Sequence, residues 1–91
     1  MKEYSILMID DDVELTELVS KYLRTNGFTV HYYHHGRDIH EAIDSHQPDL
    51  IILDLMLPDV DGLTICKSIR NEFTGAIVML TALGDDIDEV T

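Results

Sequence analysis

The sequence predicts an α/β fold, a doubly wound parallel sheet in which short strands alternate with helices. Three observations carry this. Two runs, Ile6-Leu7-Met8-Ile9 and Leu50-Ile51-Ile52-Leu53, are continuously apolar. Such strands belong to sheets covered on both faces. Amphipathic stretches separate the apolar runs, and strand–helix alternation of this kind builds a parallel sheet.

The elements follow in order. Tyr4 to Ile9 reads as the first strand. Asp12 to Thr25 reads as a helix, because Leu15, Leu18, Val19, Tyr22 and Leu23 recur at offsets of three and four. Gly27 is its stop signal. Phe28, Val30 and Tyr32 alternate with Thr29, His31 and Tyr33, so the second strand has one drier face and suits a sheet edge. Ile39, Ala42 and Ile43 mark a second helix, and Leu50 to Leu53 the third strand. Leu63, Cys66, Ile69 and Phe73 mark a third helix, Ala76 to Leu80 a fourth strand, and Asp85 onward the acidic start of another helix. The first and third strands are expected at the centre. The fourth has no Pro or Lys to protect it as an edge, so a neighbouring fifth strand is expected after residue 91. If it is missing, a second copy should pair at Ala76 to Leu80, as a homodimer or strand-exchanged contact.

Composition narrows the function. With 91 residues, 45% hydrophobic and 26% charged, the chain reads as one globular unit. No apolar run is long enough to cross a membrane. A single cysteine, Cys66, allows no intrachain disulfide, and a reducing cytoplasm is the simplest compartment. Cys66 itself lies on an apolar helix stripe and reads as packed core. Eighteen acidic against six basic residues give a net charge of -12, which argues against direct nucleic-acid binding by this segment.

The acids are clustered. Asp10 and Asp11 end the first strand and Asp54 ends the third. Ligands of open parallel sheets bind beyond the carboxyl ends of the strands, where chain order reverses. These three side chains should therefore converge, and like charges so placed need a compensating cation. An all-oxygen, anionic donor set points to Mg²⁺. Taken alone, Asp10-Asp11-Asp12 also fits a helix start, with Asp11 as N-cap and Glu14 completing a capping box. Five histidines, at positions 31, 34, 35, 40 and 46, lack the spacing of a zinc site and read as solvated or half-buried side chains. Asp59-Val60-Asp61-Gly62 lacks the remaining ligands of a calcium loop.

Three stretches now carry a family resemblance: Ile6-Leu7-Met8-Ile9-Asp10-Asp11-Asp12; Asp49 through Asp54, Pro58 and Asp61-Gly62-Leu63; and Met79-Leu80-Thr81-Ala82. Together they span nearly the whole chain, and the central one is highly specific. They resemble the signatures of receiver domains of two-component response regulators, in the style of the OmpR/PhoB-like branch. The resemblance implies a flavodoxin-like sheet of order β2-β1-β3-β4, with β5 and α5 missing, so that residues 1–91 form a receiver domain incomplete at its C-terminal end. It implies that Asp54 accepts a phosphoryl group from a sensor histidine kinase. Asp11, Asp54 and the Met56 carbonyl would ligate Mg²⁺, and Asp10 would act mainly through water. Thr81 would hydrogen-bond the phosphoryl group, and Ala82 would let the backbone approach it. Such a protein is not a conventional enzyme, although it assists its own phosphorylation. Its output would be transcription, through a DNA-binding domain absent from these residues.

Two features depart from the family pattern. The lysine that follows the fifth strand has no position here, since the last basic residue is Arg70. Asp59 stands where many relatives have glycine. Two alternatives remain. One is a stand-alone receiver acting by protein contact. The other is a haloacid-dehalogenase-type phosphatase with Asp10 as nucleophile and Asp12 as second acid, for which Glu14 stands at a position that needs Thr or Val.

Overall fold

The computed structural model describes residues 3–55, 57 and 59–80. The expectations at Met56, Thr81, Ala82 and the helix from Asp85 lie outside these residues. The element order is β1 (Ser5–Ile9), α1 (Val13–Thr25), β2 (Thr29–Tyr33), α2 (Ile39–His46), β3 (Leu50–Asp54), α3 (Gly62–Ile69) and β4 (Ala76–Leu80). The strands form one parallel sheet in the order β2-β1-β3-β4. This is the predicted order, with the continuously apolar strands β1 and β3 inside and the alternating β2 at an edge.

The period-two alternation of β1 divides the core between the two faces of the sheet. Leu7 and Ile9 join Ile51 and Leu53 beneath α2 and α3, which contribute Ile39, Ala42, Ile43, Ile65 and Ile69. Ile6, Met8 and Val30 form the opposite cluster, against Val19 and Leu23 of α1. Helices on both faces explain why neither central strand alternates in hydropathy.

Helix α1 is rotated from the orientation its apolar stripe predicts. Its buried residues are Thr16 and Ser20, whereas Leu15, Leu18 and Tyr22 are exposed. The small hydroxyl residues let the helix lie close to the sheet, and each satisfies its hydroxyl locally. Thr16 donates to the carbonyls of Asp12 or Val13, and Ser20 to that of Thr16. The helix ends as predicted at Gly27, at φ +94°. The Gly27 amide donates to Arg24 and the Phe28 amide to Leu23, a Schellman closure. Helix α3 likewise buries Ile65 and Ile69, while Leu63 is exposed, and Cys66 packs beside the core half-buried.

Candidate functional site

The site is built where β1 and β3 end side by side. In-register pairing of Ile9 with Leu53 sets Asp10 and Asp54 at the same level of the sheet. Asp10 is held there from two directions. Its amide donates to the Tyr33 carbonyl of β2 at 3.1 Å, and its Oδ1 accepts from the Asp12 amide at 2.9 Å. Asp10 and Asp54 are buried, at 4% and 5% exposure, whereas Asp11 faces solvent.

One carboxylate oxygen from each of Asp10, Asp11 and Asp54 lies within 4.8 Å of the other two. The predicted convergence is therefore present. Oxygens around a six-coordinate Mg²⁺ at about 2.1 Å sit roughly 3–4 Å apart, so small side-chain adjustments suffice to close the set on an ion. The donor chemistry also fits, being all oxygen and all anionic. The exposed Asp11 leaves one side open to water or a phosphoryl group.

Asp12 is separate from this cluster. It is the N-cap of α1, accepting from the Leu15 amide at 3.0 Å. This corrects the assignment of the cap to Asp11: the capping residue lies one position later, which frees Asp11 for the cluster. The carboxylates form one rim of a cavity of about 760 Å³ whose walls, among the described residues, include Met8, Leu15, Val19, Ile52 and Val78.

After Asp54 the chain returns to its own backbone at the start of α3. The Gly62 amide donates to the Leu55 carbonyl at 3.2 Å, and Asp61 caps α3 by accepting from the Thr64 amide at 3.3 Å. A Cβ at Gly62 would stand 2.6 Å from Leu55 Cα and 2.7 Å from the Asp54 carbonyl oxygen. Glycine is required because the start of α3 packs directly on the backbone of Asp54.

Two polar contacts near the site escaped the sequence reading. His34 Nε2 meets Thr16 Oγ1 at 2.9 Å, joining the end of β2 to the first turns of α1. Asp59 accepts from the Gly36 amide. The only sequence signal for the first was a pair of small polar residues, Thr16 and Ser20, four apart within an apolar helix. None of the five histidines belongs to a group of three or more candidate metal ligands among the described residues.

A doubly wound sheet with clustered carboxylates at the ends of its central strands serves more than one class of protein. Comparison with known proteins makes the class specific. The family model for the response regulator receiver domain matches residues 6–91, and the chain belongs to that family. It is 43% identical over 86 residues to Regulatory protein VanR of Enterococcus faecium and 44% identical over 89 residues to Transcriptional regulatory protein GltR of Pseudomonas aeruginosa. Each match covers 94% of this chain and 37% of the relative. The chain thus spans little more than a third of the length of these relatives. This similarity agrees with the OmpR/PhoB-like branch that the motifs resemble.

Solved structures agree. The BeF3-activated N-terminal receiver domain of RstA from Klebsiella pneumoniae superposes with a TM-score of 0.83 at 37% identity, covering 92% of this chain and 72% of that one. TrrA of Thermotoga maritima, in complex with Mg²⁺-BeF, gives 0.80 at 29% identity, covering 94% and 76%.

Proposed function

We propose that this chain is the receiver domain of a two-component response regulator and takes a phosphoryl group from a sensor histidine kinase onto Asp54. The observation that carries the reading is the convergence of Asp10, Asp11 and Asp54 at the end of the parallel sheet. An Asp54 oxygen attacks phosphorus, the bond from phosphorus to the kinase imidazole breaks, and an acyl phosphate results. Catalysis of such a transfer is mostly positioning and charge neutralisation. Asp10, Asp11 and Asp54 would hold Mg²⁺, together with the Met56 carbonyl; the bound ion would supply positive charge to the phosphoryl oxygens. Thr81 and Ala82 would contact the phosphoryl group, a role carried by the family resemblance.

The similarity to a protein named as a transcriptional regulator supports an output in transcription, through a DNA-binding domain beyond the 91 residues. The net charge of -12 supports placing DNA contact outside this segment. On this reading the protein acts in the cytoplasm. Among the described residues no helix is long and apolar enough to cross a membrane. Residues 1–91 would be the greater part of the receiver, with a fifth strand expected to cover β4. Among the described residues β4 pairs on one side only, with β3, which suits a further strand or a second copy at Ala76 to Leu80.

The phosphatase alternative is weakened by Asp12, whose side chain is engaged by the Leu15 amide and lies outside the carboxylate cluster. Phosphotransfer from a histidine kinase to the full-length protein tests the reading. Wild type should be labelled in the presence of Mg²⁺ and Asp54→Asn should not. Label retained in Asp54→Asn, or found on Asp10, would overturn it.

A further inference from the structure

The proposed site draws on three chain segments, and the third is the loop from Asp54 to Gly62. Its ends are pinned to neighbouring backbone, by Leu55 donating to the Leu80 carbonyl at 2.9 Å and by Gly62 donating to Leu55. Its interior is anchored twice more. Leu57 is buried in the core, and the Asp59 carboxylate reaches the turn between β2 and α2. There both of its oxygens accept the single Gly36 N–H, at 3.3 and 3.2 Å, in a three-centre bond.

The turn packs closely beside this contact. A Cβ at Gly36 would stand 2.5 Å from Ile65 Cδ1 and 3.3 Å from Leu57 Cδ1. Gly36 is therefore seated on α3 and on the loop itself, with its amide presented to Asp59. Asp59 is exposed and does not belong to the Asp10–Asp11–Asp54 cluster. In a chain with eighteen acidic residues and six basic ones, a further carboxylate is unfavourable unless its acceptor capacity is used. Here the backbone amide uses it.

We propose that Asp59 is a positioning residue for metal binding: by accepting the Gly36 N–H it braces the Asp54–Gly62 loop against the β2–α2 turn. The inference rests on the function proposed above, which places the Asp54 ligand at one end of this loop and a backbone ligand within it. Asp59 does not touch the ion. It reduces the freedom that the loop must lose when the ligand set closes.

A second effect would give the same sign, since any acidic side chain of the domain attracts Mg²⁺ through space. The two separate by substitution. Asparagine keeps an oxygen acceptor for the Gly36 amide and loses the charge, whereas alanine loses both.

The test is calorimetric titration of the full-length protein with MgCl₂, for wild type, Asp59→Asn, Asp59→Ala and Asp11→Asn, with thermal melting of each in metal-free buffer. Bracing predicts that Asp59→Asn binds within about twofold of wild type and Asp59→Ala about tenfold more weakly, with metal-free melting little changed. Equal weakening in the two Asp59 variants would assign the effect to charge and overturn the proposal. So would wild-type affinity in Asp59→Ala, or an Asp59→Ala chain that is unfolded without metal. Wild-type protein that binds no Mg²⁺, or binding that survives Asp11→Asn unchanged, would instead remove the functional reading and this inference with it.

Discussion

His31 of β2 is stacked on His46 of α2, with ring centroids 3.8 Å apart and planes 14° from parallel. The Tyr33 hydroxyl meets His46 Nε2 at 2.9 Å, so one aromatic cluster ties the edge strand to the end of α2. Burial first, then His46 and Arg24, lower the His31 pKa from its ordinary 6.5. The fold therefore prefers neutral His31. Its contribution is complete above the unfolded value and is lost as pH falls through the lowered folded value. The melting temperature should fall more steeply between about pH 7 and pH 5 in wild type than in His31→Phe, which keeps a stacked ring but cannot gain a proton. Parallel declines in thermal scans across that range would contradict the assignment.

Asp12 acts on the helix rather than on the metal. Its carboxylate satisfies the Leu15 amide at the start of α1. Asp12→Ala should cost about 1 kcal/mol in urea unfolding. Mg²⁺ affinity measured on the same sample should stay close to wild type. A loss of metal binding as large as that in Asp11→Asn would return Asp12 to the ligand set.

Asp11 should show the opposite pattern. It is exposed, and its oxygen lies within 4.8 Å of those of Asp10 and Asp54. Without a cation that proximity is repulsive. Asp11→Asn should thus melt at a higher temperature than wild type in metal-free buffer. Addition of Mg²⁺ should raise the wild-type melting temperature and leave the variant nearly unmoved. A metal-free variant less stable than wild type would show that Asp11 has a structural partner instead.

Gly62 links the packing of α3 to the acceptor strand. A methyl group there would meet backbone atoms of Leu55 and Asp54, neither of which can rotate away. Gly62→Ala should cost roughly 1–3 kcal/mol and weaken Mg²⁺ binding, because relief requires the Asp54 backbone to move. Crystallography of the variant would show the displacement; an unmoved Asp54 with wild-type metal affinity would count against it.

The sequence by itself determined the sheet and the location of its chemistry. Continuous apolar runs require strands covered on both faces. Carboxylates placed directly after two such strands must then meet, because parallel neighbours end at the same side of a sheet. Asp10, Asp11 and Asp54 come together for this reason. Tertiary structure alone decided how α1 turns, since Thr16 and Ser20 can face the sheet only where close approach returns more packing than Leu18 or Tyr22 would. It alone paired His31 with His46 and Asp59 with Gly36. Local periodicity reports which way a side chain points along its own element, whereas these contacts depend on the distance between elements far apart in the chain.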